Sequence, residues 1–194
     1  LRRLNENAPG TFQHTLQVAN MAEEAIRTIG GNALLVRAGA MYHDIGKLDK
    51  PHMFIENQNT KHNPHDELPP TESAEIILNH VIKGIELGRK HKLPDQIIDF
   101  IRTHHGLTRV EYFYRQMINQ EGEENVDKSK FTYPGPLPYS KETVVLMMAD
   151  STEAASKSLK NPNSESIDNL VEKIIEGQMN AGQYVNANIT FKEI

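Results

Sequence analysis

Nine histidines in a chain of 194 residues with no cysteine place the reactive chemistry of this sequence in imidazole and carboxylate. They are unevenly spread. His14, the pair His43-Asp44, His80, the pair His104-His105 and Asp150 each stand among apolar residues, where a plain helical core would carry Leu or Ala. A carboxylate buried without a partner is costly, and a buried imidazole demands hydrogen bonds. Facing helices resolve both costs if these side chains point at shared cations. Five imidazoles and two carboxylates are a sensible donor set for two divalent ions with positions left for water and substrate. Histidine combined with carboxylate favours Mn, Fe, Zn or similar ions over Mg or Ca. Taken singly, each residue has a plainer reading: His14 or His80 as a hydrogen-bonded structural histidine, Asp150 as a cap or lysine partner, His104-His105 as a polar helix terminus. Their order along successive helices is what favours a shared site.

The elements that must position these residues read as helix almost throughout. Thr11 is a plausible N-cap for a helix reaching Ile29, and Gly30-Gly31 stops it. Asn32 caps a second helix that leads to Tyr42-His43-Asp44, with Gly46 ending it. Residues 47–70 hold four prolines and little apolar periodicity, so a long loop is expected there. Thr71-Glu72-Ser73 starts a helix carrying Ile76, Ile77, His80, Val81 and Ile85. Pro94 suits the first turn of the next, which ends near His104-His105-Gly106. Adjacent helical residues diverge by about 100°, so His43-Asp44 and His104-His105 reach one centre most easily at helix ends. A short helix is expected over 110–120, then a polar excursion over 121–140. Ser140 caps a helix from Lys141 to Leu159, Asn161-Pro162-Asn163 breaks it, and a last helix spans 166–179. The tail from Tyr184 to Ile194 has no evident partner strand. The expectation is all-α, one domain over 1–194, with loops 47–70 and 121–140 mobile and facing substrate.

Composition narrows the classes of function. Without cysteine there is no disulfide scaffold, thiolate zinc site or cysteine nucleophile, which fits a reducing compartment. The net charge of -5 argues against broad electrostatic binding of DNA or RNA. An anionic substrate therefore needs local cations. No apolar run approaches the roughly 20 residues that span a bilayer, and no signal peptide opens the chain. Leu1 in place of Met suggests a piece of something longer.

The succession of His14, His43-Asp44, His80, His104-His105 and Asp150 resembles the HD-domain metal-dependent phosphohydrolase superfamily. Longer stretches narrow the resemblance: Asn5-Glu6-Asn7-Ala8-Pro9-Gly10-Thr11, Tyr42-His43-Asp44-Ile45-Gly46-Lys47, Phe54-Ile55-Glu56-Asn57-Gln58, Asn63-Pro64-His65-Asp66 and Ala149-Asp150-Ser151-Thr152-Glu153-Ala154-Ala155. These are similar to the cytoplasmic HD domain of membrane-anchored cyclic di-AMP phosphodiesterases of the PgpH type. The resemblance implies an HD-type helical bundle that hydrolyses cyclic di-AMP to linear pApA with two divalent metals, Mn²⁺ or Fe²⁺. By the family pattern His14, His43, Asp44 and Asp150 hold one metal, and His80, His104 and His105 the other, with Asp44 bridging. Lys47, one turn past the pair, would steady a phosphate oxygen or assist the leaving oxygen, unless it is simply a solvated lysine. The resemblance also implies a bacterial parent with membrane helices and an extracellular sensing region, this domain being cytoplasmic and itself free of membrane contact. Oligomeric state stays open. The Gly-Tyr-Pro signature of related cyclic di-GMP enzymes is missing after His104-His105, which lowers that reading. Other cyclic dinucleotides, an alarmone, a nucleoside phosphate, or nucleotide sensing without hydrolysis are the competing functions.

Two further groups carry less. Arg109, Tyr112, Phe113, Tyr114 and Arg115 would either stack and charge-pair with a nucleotide or pack a helix onto its neighbour. His52, His62 and His91 are expected to face solvent, and His65 belongs to the longer motif with no role assigned, turn chemistry being its plainer reading.

Overall fold

A computed structural model describes residues 1–59 and 62–194; Thr60 and Lys61, inside the first expected loop, lie outside the described residues. The fold is all-helical, as expected. Among the described residues there is no strand, only an isolated antiparallel bridge between Arg109 and Thr132.

The central layer is built by α2 (Pro9–Thr28), α3 (Ala33–Tyr42), α5 (Asp95–Thr103) and α7 (Lys141–Ser156). Val18, Ala19, Ala22 and Ile26 of α2 form a stripe at helical spacing that buries against Val36 and Ala40 of α3, Phe100 of α5, and Val145, Leu146 and Ala149 of α7. Burial of such a stripe, rather than intrinsic propensity, holds a helix in place. Local signals set several boundaries. The Asn32 side chain accepts the Leu35 amide and starts α3, and Ser140 and Thr143 form a reciprocal box at the start of α7.

Several boundaries differ from the sequence reading. A short helix, α1 (Arg2–Asn7), precedes α2, and α2 begins at Pro9 rather than Thr11. Proline fits a first helical turn because its missing N–H is one the turn leaves unbonded. The last helix, α8 (Ser164–Asn180), starts two residues early because Asn163 is its cap. Helix α7 stops at Ser156, short of Leu159.

The described residues of the expected loops include several short turns. Residues 45–57 and 64–67 form successive 3-10 turns, whose single-turn length hides them from any search for apolar period. Thr11 at the start of α2 fastens the first segment: its amide donates to Asn57 Oδ1 at 3.1 Å and its hydroxyl to Glu56 Oε1 at 2.9 Å. His65 is buried rather than merely part of a turn, and its Nε2 donates to the Met53 carbonyl at 2.9 Å. The second segment drives Phe131 and Val126 into a cluster with Ala74 of α4 (Pro70–Lys90) and with Phe113 and Tyr114 of α6 (Glu111–Glu121).

Candidate metal centre

Five segments deliver the seven expected residues. His14 lies in the second turn of α2, and His43 closes α3 with Asp44 just beyond it. His80 sits mid-way along α4, His104 closes α5 with His105 next to it, and Asp150 projects from α7. Both pairs stand at helix ends, where the backbone changes direction and lets neighbours share a target. Gly106 makes one such change with φ +50°, a region costly for residues with a Cβ. Gly46 serves the other by close approach. A Cβ there would lie 1.8 Å from the His80 carbonyl oxygen and 2.4 Å from the Gly84 nitrogen, so only glycine lets this turn rest on α4. That contact brings Asp44 Oδ1 within 3.3 Å of His80 Nε2.

The donor atoms fall into two groups, His14, His43, Asp44 and Asp150 in one and His80, His104 and His105 in the other, each spanning no more than 4.8 Å. Asp44 faces both. Its Oδ2 lies 3.5 Å from His14 Nε2 and 3.3 Å from His43 Nε2, while its Oδ1 lies 3.3 Å from His80 Nε2 and 3.7 Å from His104 Nε2. Asp150 Oδ1 is 2.9 Å from His14 Nε2 and 3.5 Å from His43 Nε2, and its Oδ2 is 3.9 Å from His105 Nδ1. All but His105 are buried.

The hydrogen bonds on the far side of each ring decide what these atoms can do. Nδ1 of His43, His80 and His104 points at the carbonyl three residues earlier, of Ala40, Ile77 and Ile101, at 2.6, 2.5 and 2.7 Å. A carbonyl only accepts, so each Nδ1 carries the proton, and in the neutral ring Nε2 presents a lone pair. His80 and His104 then aim two lone pairs at each other across 3.2 Å. His43 Nε2 and Asp44 Oδ1 are buried with no hydrogen-bond partner. Facing lone pairs and orphaned acceptors are unfavourable by themselves and are satisfied by divalent cations between them. The donor set therefore fits divalent metal ions.

Charge sorts the same way. Burial opposes ionisation of Asp44, but Lys47 and His43 overcome it and hold its carboxyl well below the usual range. Asp150 behaves likewise, with His14 and His43 outweighing burial. Burial opposes a charge on His43, but Asp44 and Asp150 raise it to about 10, so at its Nε2 a divalent ion competes with a proton. His105 is pushed down to about 3 by burial, and His104 well down by burial and its neighbouring imidazoles. Asp44, Asp150 and His43 thus prefer to be charged, and His104 and His105 to be neutral.

Lys47 joins the centre. Its ammonium lies 2.8 Å from both Asp44 Oδ2 and Glu56 Oε1 and 5.1 Å from the centre of the Phe54 ring. The solvated alternative is excluded, since its side chain is 13% exposed. The other expected substrate contacts are placed differently. Tyr114 is buried against Phe131, with the Arg109 guanidinium 4.4 Å from its ring centre. Arg109 and Arg115 both pair with Glu111, and Tyr112 is exposed with its hydroxyl accepting from Gln116. Of the four, Tyr114 takes the packing alternative. His52, His62 and His91 are exposed as expected.

Three residues were missed from sequence. Glu153 Oε2 meets His14 Nδ1 at 2.5 Å; its signal is its place one turn after Asp150, on the same helix face. Glu56 clamps Lys47 and was visible only as part of a longer motif. Tyr133 stacks on His105 with ring centres 4.1 Å apart, and nothing in its surrounding sequence announces it.

Residues 11–155 match the HD domain family. The chain belongs to that family. Within it, the sequence is 42% identical over 194 residues to the cyclic-di-AMP phosphodiesterase PgpH of Bacillus subtilis (strain 168) and 40% identical to that of Listeria monocytogenes serotype 1/2a (strain 10403S). All of this chain is covered in each case, but it spans only 27% of the length of these curated relatives. The fold superposes on the crystal structure of the L. monocytogenes PgpH HD domain in complex with cyclic-di-AMP, with a TM-score of 0.95 and 39% identity, over 99% of this chain and 89% of that one. No helix among the described residues is long and apolar enough to cross a membrane.

Proposed function

We propose that residues 1–194 form one catalytic domain that hydrolyses cyclic di-AMP to linear pApA with two divalent metal ions, Mn²⁺ or Fe²⁺. The observation that carries this reading is the set of lone pairs converging on Asp44, in a fold shared with a domain crystallised with cyclic-di-AMP. His14, His43, Asp44 and Asp150 hold one ion, and His80, His104 and His105 the other, with Asp44 offering one oxygen to each. The parent protein is membrane-anchored and carries this domain on its cytoplasmic side, by likeness to relatives much longer than this chain.

Ions bound there supply Lewis acidity toward a phosphoryl oxygen and a nucleophilic water at neutral pH. The chain's own residues do the rest. His105, 24% exposed, is the most open of the seven, so the scissile phosphate approaches from its side. Lys47 is an ammonium held by Asp44 and Glu56, its pKa raised further by both although burial opposes this. It can stabilise negative charge or donate to the leaving oxygen, but it cannot accept a proton from water. The carbonyls behind His43, His80 and His104 and the carboxylate behind His14 keep these four rings in register before substrate arrives, which is how a preorganised site lowers a barrier.

The test is a hydrolysis panel. Mn²⁺-reconstituted protein is offered cyclic di-AMP, cyclic di-GMP and an alarmone side by side, with products resolved by chromatography. Preferential conversion of cyclic di-AMP to pApA is expected. Two bound metals with no turnover of cyclic di-AMP would overturn the substrate assignment.

A further inference from the structure

The two metal positions differ in how their histidines are supported from behind, and the difference traces to one residue outside the donor set. His43, His80 and His104 each lean on a neutral backbone carbonyl of their own segment. His14, in the second turn of α2, is backed differently. Its Nδ1 instead meets a carboxylate from another helix, Glu153 of α7, at 2.5 Å. Glu153 is 3% exposed, a setting that favours a carboxylate only when it is well partnered. Its Oε2 is shared with Lys157 Nζ at 2.9 Å, and its Oε1 has no partner. Since Asp150 Oδ1 lies 2.9 Å from His14 Nε2, α7 grips both ring nitrogens of His14 with two carboxylates one turn apart.

Resting on the two-metal reading above, we propose that Glu153 is a positioning residue for His14 that makes the position formed by His14, His43, Asp44 and Asp150 the tighter of the two, so that it fills first. A carboxylate behind an imidazole fixes the tautomer and raises the basicity of the facing nitrogen more than a neutral carbonyl does. The same position also holds Asp150 and one oxygen of Asp44, whereas the other combines three imidazoles with the remaining Asp44 oxygen. Less negative charge and neutral backing leave that second ion the exchangeable one. Hydrolysis needs both, so turnover follows occupancy of the His80–His104–His105 position and hence the supply of metal. Lys157, half exposed on the rim of α7, holds Glu153 from the outside.

Equilibrium dialysis of Mn²⁺ against the metal-stripped full chain, with thermal unfolding run alongside, tests this. Wild type should bind two ions in two resolved steps. His80→Ala should keep the tighter step and lose the weaker one. In that background Glu153→Gln, which keeps an acceptor but removes the charge, should weaken the remaining step about 10-fold, and Glu153→Ala about 100-fold. In otherwise wild-type protein Glu153→Gln should bring the two steps together without moving the weaker one. If Glu153→Ala does not fold, the isosteric glutamine variant carries the test alone. Equal weakening of both steps would mean that Glu153 serves general packing, and an unmoved tight step that it does nothing for metal; either overturns the inference. Fewer than two ions on the wild type would instead overturn the two-metal reading.

Discussion

The metal centre and the exposed face of α6 look alike as strings of letters: each mixes charged or titratable groups with aromatic or apolar residues at helical spacing. In space they separate. At the start of α6 both arginines are answered close by in sequence. Arg115 meets Glu111 at 3.0 Å, Arg109 meets the same carboxylate at 3.3 Å and lies over Tyr114, and Tyr112 meets Gln116. At the centre, five segments far apart in sequence bring lone pairs together and leave them unanswered, with His80 and His104 facing across 3.2 Å. A group that satisfies itself locally has no bonding capacity left for a ligand. A group that is buried, convergent and unsatisfied has been assembled at a cost that only a ligand removes.

The sharpest way to break this contrast is at Asp44, whose two oxygens face the two positions. Asp44→Ala should remove both oxygens at once, bind less than one equivalent of Mn²⁺, and lower kcat/KM by at least ~10³-fold, since metal stabilisation of developing charge is worth several kcal/mol. Retained turnover with retained metal would show that the convergence is structural only. Next in size is Lys47. Lys47→Ala should lower the rate by roughly 10²-fold, the usual effect of losing one preorganised electrostatic contact, while both metals stay bound. Loss of metal in this variant would mean that the ammonium serves to hold Asp44 in place rather than to meet the phosphate.

How far the site could be read from sequence follows from the same physics. His43-Asp44 and His104-His105 are legible because each pair precedes a glycine that ends a helix, and because polar residues at otherwise apolar positions demand a reason. Asp150 is legible as the carboxylate in an apolar helix. Glu153 carries only the signal of its place one turn after Asp150, because a glutamate late in a helix is ordinarily solvated and only the tertiary fold turns it inward to His14. Glu56 and the 3-10 turns around it escape for a different reason: single turns have no apolar period, and prolines at 51 and 64 read as breaks although each starts a turn. Helix α1 is six residues long and mostly polar, too short to be stable alone. It holds because Leu4 and Ala8 are buried with Ile45 and Ile101.

The smallest expected effect lies on the other side of the contrast, at Tyr114. Its ring packs on Phe131 and beneath Arg109, and its hydroxyl is buried with no partner. If α6 serves packing, that oxygen contributes nothing to binding and carries a small desolvation cost. Tyr114→Phe keeps the ring and removes the oxygen, so stability should rise or stay level, by about 0–1 kcal/mol, with kcat/KM for cyclic di-AMP unchanged within about two-fold. Denaturant unfolding and steady-state kinetics on the same preparation check both. A drop in kcat/KM of ten-fold or more at unchanged stability would place the hydroxyl on the substrate, because removing a buried polar contact to a ligand costs about that much. The orphaned hydroxyl on α6 would then have the same explanation as the orphaned His43 Nε2 and Asp44 Oδ1 at the centre, a partner that arrives with the ligand.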